Sequence, residues 1–331
     1  MHRPDIVLVT PALAAANNGN WQTARRWAAM LGDEYRVRLT DSWASGDEAL
    51  MLALHARRSA ASVAAWHAAH PRRPLVVVLT GTDLYRDIHI HPSAQRSLAL
   101  ADRLVVLHPL GARSLPAEHR AKTRVCAQSS RARATLPKTG RHLRALMVGH
   151  LRQEKDPATY QAAALLLADR QDILLDHVGE ALSPALGAAA EHTMQRNPRY
   201  RWLGAQPHAA TLKRIQRAHV LVHPSRMEGG AHVLIEAMVS GTPVLASHID
   251  GNTGLLGQDH PGLFEPGDAE GLARLLKRCR DDPSMLPALQ SQGARRAAAF
   301  QPERESQTLH QMVHEMLTQN ALFPDSHGDP S

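Results

Sequence analysis

Glu228 and Glu236 stand eight residues apart, and Gly229-Gly230 follow directly on the first. The run that carries them, His223 to Val244, leaves an apolar strand at His223 and turns through Pro224-Ser225. It opens a helix after the two glycines and closes it at Gly241. Glycines there let the backbone approach a ligand closely. The first N–H groups of a helix, helped by its dipole, hold an anion such as phosphate. From the first two turns, Glu236 could accept hydrogen bonds from the two hydroxyls of a ribose, and Ser225 lies in the turn before it. Two glutamates at this spacing also occur on ordinary surfaces. The strand, glycine pair, helix and closing glycine around them argue against that reading.

Three segments of the first half carry groups suited to anions or hydroxyls. Asn17-Asn18-Gly19-Asn20 precedes a helix with Thr23 and Arg26, and offers amide donors at a glycine turn. Arg57 and Arg58 sit where a strand gives way to a helix, and guanidinium forks suit phosphate oxygens. Thr80, Thr82 and Asp83 follow the fully apolar run Leu75–Leu79 and could bind hydroxyls; Asp83 as a helix cap is the competing reading.

Alternating strands and helices position these groups. Strands are expected at Ile6–Val9, Tyr35–Leu39, Ala49–Leu54, Leu75–Leu79 and Leu104–Leu107, with helices at Trp21–Leu31 and Ser59–Ala69, the latter capped by Ser59. Arg131 to His142 breaks the pattern and reads as an exposed basic linker. The pattern then restarts. Strands are expected at Leu143–Val148, Ile173–Val178, Val220–His223 and Val244–Ala246, with helices at Ala158–Ala168, Ala209–Ala218, His232–Val239 and Ala269–Arg280. The fold class is therefore α/β: two doubly wound parallel-sheet domains, 1–130 and 143–300, joined by the linker 131–142. A helix within 301–319 follows, able to pack back on the first domain, and 320–331 reads as a flexible tail. Ligands in such sheets bind beyond the carboxyl ends of the strands, so the chemistry is expected in a cleft between the two domains.

Composition narrows the classes. The 331 residues, at about 150 per domain, suit two domains. Hydrophobic residues at 44% and charged residues at 21% exclude a disordered chain. The net charge of +7 suits an anionic partner, but an Ala- and Arg-rich bias explains it as well. Aromatic residues at 4%, with no basic run interleaved with stacking side chains, argue against a nucleic-acid binder. No apolar run approaches a bilayer span, no secretory leader is evident, and a cytoplasmic, membrane-free protein is expected. Cys126 and Cys279 read as reduced core thiols. Without a ligand-spaced cluster no metal is expected, and His89 and His91 read as surface residues on a loop.

The run from His223 to Val244 resembles the Glu-x7-Glu signature of family-4 retaining, nucleotide-sugar-dependent glycosyltransferases of the GT-B fold, two Rossmann-like domains facing across a cleft. Gly149 to Asp156 resembles that family's phosphate-binding segment, Trp202 to Pro207 its base-contacting loop, and Phe264 to Asp268 its closing Pro-Gly-Asp. The resemblance implies that Glu236 holds the ribose, Glu228 contacts the donor sugar, and Lys155 neutralises the leaving diphosphate. Gly204, Gln206, Ser225, Gly229 and Gly230 would complete the donor site. His150 stands where the family has arginine, so Arg152, or His150 when protonated, would supply that charge. No metal or other cofactor is implied, since Asp-x-Asp is absent.

The first-half segments, together with Ser225-Arg226-Met227-Glu228-Gly229-Gly230-Ala231, resemble the selenosugar synthases of selenoneine biosynthesis. That resemblance implies a UDP-sugar such as UDP-N-acetylglucosamine as donor and selenophosphate as acceptor. It also implies a functional link to the enzymes that make selenophosphate and form selenoneine. A cleft holding two anions needs cations on both walls: Lys155 and Arg152 on one, Arg57, Arg58 or Arg26 on the other. Selenium is a strong nucleophile, so no general base is assigned. The alternative is a generic retaining family-4 transferase acting on a hydroxyl of a sugar, lipid or small metabolite. Arg25 and Arg26 beside Trp21 and Trp27 are the hint of a lipid acceptor.

Overall fold

The computed structural model describes residues 3–12 and 19–321. Asn17 and Asn18 of the glycine turn lie outside the described residues, as do 322–331 of the expected tail. The chain divides into two compact units, residues 1–128 with 302–331, and residues 129–301.

The first unit runs β1 (Asp5–Val9), α1 (Gly19–Leu31), β2 (Arg36–Thr40), β3 (Leu50–Leu54), α2 (Ala60–Ala69), β4 (Leu75–Leu79), α3 (Ile88–Ile90), α4 (Pro92–Leu100), β5 (Arg103–Val106), α5 (Ala117–Arg120) and β6 (Thr123–Val125). Its six strands pair in the order β2-β1-β3-β4-β5-β6, all parallel. Successive side chains of a strand point to opposite faces, and both faces are covered. Val7, Val9, Met51, Ala53, Val77 and Leu79 pack with Val63 and Trp66 of α2 and Ala94 and Leu98 of α4. Ile6, Leu8, Leu50, Leu52, Leu54 and Val76 point the other way, onto Trp27 and Leu31 of α1.

The second unit runs β7 (Leu143–Val148), α6 (Pro157–Leu166), β8 (Ile173–Val178), α7 (Pro184–Arg196), β9 (Tyr200–Trp202), α8 (His208–Arg217), β10 (Val220–His223), α9 (His232–Val239), β11 (Val244–Ser247), α10 (Asp250–Leu256), β12 (Leu263–Phe264), α11 (Ala269–Asp281) and α12 (Met285–Ala297). Its strands pair in the order β12-β11-β10-β7-β8-β9, again all parallel. The first strand lies at the centre, and β7 beside β10 marks the point where strand order reverses. The carboxyl ends of those two strands are where such a sheet binds its ligand. Residues 131–142 carry no helix or strand and belong to the second unit, held to the end of α9 by Arg133 N–H donating to Val239 O and the Thr135 hydroxyl donating to Ser240 O. Gly241, which ends α9 at φ +66°, faces this contact; a Cβ there would stand 2.3 Å from Thr135 Oγ1.

The final helix, α13 (Pro302–Ala321), belongs to the first unit. Leu309, Met312, Val313 and Met316 enter the same core as Trp27 and Leu31. Both cysteines are buried and free.

Ser59 stands at the start of α2 but does not cap it, because its hydroxyl donates to Leu54 O at 2.6 Å. The segment containing His89 is the short helix α3 rather than a loop. His91 is half-buried, with Nε2 2.9 Å from Arg57 Nη1, which corrects its reading as a surface residue.

Candidate functional site

In the second unit two loops meet beyond β7 and β10. Lys155, from the loop after β7, donates Nζ to Glu228 Oε1 in the loop after β10. The same carboxylate oxygen lies 3.1 Å from Nε2 of His223, the last residue of β10. Two further contacts tie the loops, Arg226 N–H to Glu154 O at 2.9 Å and Arg226 Nε to Asp156 Oδ2 at 2.9 Å, and Asp156 Oδ2 also accepts from Thr159 Oγ1 at 2.7 Å. Asp156 thus caps α6 and anchors Arg226 together. It does so in a left-handed conformation, φ +48°, which a non-glycine residue adopts at a cost met by those bonds. Behind the site, a Cβ on Gly179 would sit 1.9 Å from Gly149 O, and one on Gly251 would sit 2.0 Å from Glu228 O. Only glycine allows β8 and α10 to press so close.

Burial alone would push the Glu228 carboxyl up. The Lys155 charge and the His223 bond outweigh it, and the group stays well below the usual carboxylate range. Arg152 lies in the same loop, and its Nε is buried without a hydrogen-bond partner among the described residues. His150 accepts Glu180 N–H at Nδ1, 3.2 Å away. Burial lowers its pKa, with Arg152 and Lys155 adding to the effect against Glu180. The lowered pKa leaves the His150 imidazole chiefly neutral at neutral pH.

Glu236, on the inner side of α9, is flanked by two histidines. His208 Nε2 lies 2.7 Å from its Oε1, and His232 Nδ1 lies 3.3 Å away. Burial opposes ionisation there, but the two imidazoles hold the carboxyl at about 2. Gly204, at φ +63°, turns the loop after β9, and Gln206 donates back to Leu203 O at 2.8 Å. Gly229 is buried and Gly230 half-buried in the turn that opens α9. Ser225 is fully buried, with its hydroxyl 3.2 Å from His223 Nε2. That corrects its assignment as a donor contact: it supports His223. Neither His223, His208 nor His232 was picked out from the sequence; His208 meets Glu236 only through the fold, whereas His232 is four residues before Glu236 on the same helix and His223 five before Glu228, spacings that could have flagged them.

In the first unit, residues after β3 and β4 converge. Asp83 is fully buried and accepts the N–H groups of Thr80 (2.9 Å), Gly81 (3.0 Å) and Ala56 (3.0 Å). It is neither a hydroxyl-binding group nor a cap; it clamps one loop onto the other. Thr82 Oγ1 lies 3.1 Å from Nε2 of buried His55, which adopts φ +72°. Arg57 reaches His91 and lies 3.3 Å from Asp87, while Arg58 is exposed. Gly19 is exposed and Asn20 half-buried at the start of α1. Thr23 and Arg26 are corrected. Thr23 Oγ1 is buried between Gly19 O and Gln128 Nε2, and Arg26 forms a two-pronged pair with Glu305 of α13 at 2.9 and 3.0 Å. Both hold α1 in place.

Residues 129–296, just over half of the chain, match the family described as Glycosyl transferases group 1. The chain belongs to that family. It is 28% identical over 186 residues to the D-inositol 3-phosphate glycosyltransferase of Streptomyces coelicolor, covering 52% of this chain and 40% of that protein. The match thus spans less than half the length of that curated relative. Among solved structures, sucrose-phosphate synthase from Thermosynechococcus elongatus superposes with a TM-score of 0.77 at 19% identity, over 96% of this chain and 100% of that one. Anabaena HepE in complex with UDP-glucose gives 0.74 at 17%, over 95% and 100%. These likenesses show the fold: two Rossmann-like units of the kind found in GT-B glycosyltransferases. Among the described residues no helix is long and apolar enough to cross a membrane, and no group of three metal-ligating side chains forms.

Proposed function

We propose that this group 1 glycosyl transferase moves a sugar from a UDP-sugar to selenophosphate. One observation carries the donor half: Lys155 meets buried Glu228 at the switch point of the second sheet, and Arg152, three residues before Lys155 in the same loop, has a buried Nε without a hydrogen-bond partner among the described residues. Two cations suit a diphosphate, and Glu228 suits a sugar hydroxyl. Glu236, one helix turn inside α9, suits the ribose diol. The HepE structure holds UDP-glucose on the same fold, which supports a UDP-linked donor.

The acceptor half rests on the resemblance of Asn20, Arg57, Arg58, Thr80 and Thr82 and their neighbours to the selenosugar synthases. A selenium lone pair attacks the anomeric carbon as the carbon–oxygen bond breaks. The bonding pair leaves on the diphosphate, which Lys155 and Arg152 stabilise. UDP departs, and water then cleaves the selenium–phosphorus bond to give phosphate and a selenosugar. The group needs no metal ion in this scheme. The name of the inositol-phosphate relative favours a second reading, a hydroxyl of a phosphorylated small molecule as acceptor.

Anaerobic incubation with UDP-N-acetylglucosamine and selenophosphate, followed by mass spectrometry, separates the two. A product with selenium's isotope pattern supports the first. UDP release only with a phosphorylated polyol supports the second.

A further inference from the structure

His223 bonds the same oxygen of Glu228 that Lys155 holds, and that arrangement does not fit a bound donor unchanged. The inference below rests on the reading of this site as a UDP-sugar site. Lys155, Glu228 and His223 form one bonded group, a half-buried ammonium with a buried carboxylate and a buried imidazole. A diphosphate needs the Lys155 ammonium. Lysine can turn to it, since its charge sits on a flexible four-carbon stem. Glu228 stays behind, because its side chain is buried and its Oε1 is also held by His223 Nε2 at 3.1 Å. Lys155 would then leave a buried carboxylate beside a neutral imidazole, and an unpaired buried charge is strongly unfavourable.

We infer that His223 is a positioning residue that holds Glu228 in register and takes up a proton with it when Lys155 turns to the donor diphosphate. The balance is one solvent proton taken up per donor bound. Lys155 keeps its charge, now paired with phosphate, and the carboxylate gains an imidazolium at Nε2 in its place.

The surroundings suit that exchange. Glu228 Oε1 and Ser225 Oγ meet the His223 ring, Ser247 Oγ of β11 meets its backbone carbonyl and is itself held by Asn252 of α10, and the charges acting on the imidazole are those of Glu228 and Lys155. Burial lowers the His223 pKa, Glu228 raises it, and Lys155 lowers it further. Removing the lysine charge takes away one of the two causes that keep the imidazole neutral. Ser225 Oγ, 3.2 Å from the same ring nitrogen, and Ser247, which donates to Ser225 O, hold the ring in place whichever way the proton lies.

The test is titration calorimetry of the full chain with UDP-glucose at pH 7.5, in buffers of differing ionisation enthalpy. A diphosphate diester has no group titrating there, so uptake reports the protein. Wild type is expected to take up about one proton per donor bound. His223→Gln keeps a donor to Glu228 and is expected to lose the uptake in whatever binding remains. Binding by wild type without proton uptake overturns the inference and leaves the donor site standing. Uptake that persists undiminished in a folded His223→Gln also overturns it. Should that variant not fold, the wild-type slope alone decides. No binding of any UDP-sugar removes the donor reading itself, and the inference with it.

Discussion

Arg226 Nε lies 2.9 Å from Asp156 Oδ2, and this contact ties the loop after β10 to the loop after β7. Asp156 also caps α6, accepting Thr159 N–H, so one carboxylate sets both the start of a helix and the span between the loops. Lys155 and Glu228, neighbours of the two tied residues, meet across that span.

Replacing Asp156 therefore has a structural and a functional consequence. Asp156→Ala is expected to lose about 2 kcal/mol of stability in urea unfolding, chiefly from the cap, since Arg226 is largely exposed. Asp156→Asn keeps an acceptor for Thr159 and is expected to lose about half as much. Both should lower kcat/KM for the UDP-sugar more than that loss of stability alone would, and side-by-side unfolding and rate measurements check it.

Glu236 governs stability in acid. Its carboxyl is held at about 2 by His208 and His232, against burial and below the ordinary 4.5. A carboxyl lowered by folding stabilises the native state above its unfolded pKa. That contribution is lost as pH falls from about 4.5 toward 2, and amounts to at most about 3 kcal/mol. Glu236→Gln lacks the titration, so its stability should fall less steeply between those pH values than that of wild type. Thermal melts at stepped pH measure the difference; parallel curves would show that the histidines do not stabilise the charge.

Arg26 is expected to matter for folding rather than for the acceptor. Its fork and Trp27 Nε1, 2.7 Å from Glu305 Oε1, bind one buried carboxylate and fix α1 to α13. Arg26→Ala leaves Glu305 without its cation and should cost about 3 kcal/mol in unfolding experiments. KM for the acceptor should stay within about twofold in the folded fraction. A large rise in KM with unchanged stability would return Arg26 to the acceptor site.

The architecture was readable where burial was complete. Leu75–Leu79 and Val220–His223 are apolar because both sheet faces are covered, and they appear as strands with those bounds. The short strands β6, β9 and β12 span three, three and two residues and carry no periodicity to detect. Helices α7 and α12 escaped notice because small and polar residues, such as the Ala-Ala-Ala of 188–190 and the Gly-Ala-Arg-Arg of 293–296, blur the apolar stripe. Within the site, Lys155, Glu228 and Glu236 were legible from motif and spacing. Among their histidine partners, His208 was not legible, since it is 28 residues from Glu236 and nothing local links them; His232 and His223 lie within the motif, four and five residues from their glutamates, but histidine at those positions reads equally as packing. In the first unit, residue types suggested ligand contacts where side chains proved committed to the fold. Asp83 and Arg26 are polar residues serving backbone and helix packing, a role that sequence alone does not distinguish from binding.

Donor turnover by Lys155 variants tests the central claim most directly. UDP release from UDP-N-acetylglucosamine, with selenophosphate present and air excluded, is measured for wild type, Lys155→Met and Arg152→Met. Wild type should release UDP in step with a selenium-containing product. Lys155→Met should lower kcat/KM by about a hundredfold or more, and Arg152→Met by about tenfold or more. Rates within about twofold of wild type in a folded Lys155→Met would contradict the claim that this lysine carries the charge of the departing diphosphate.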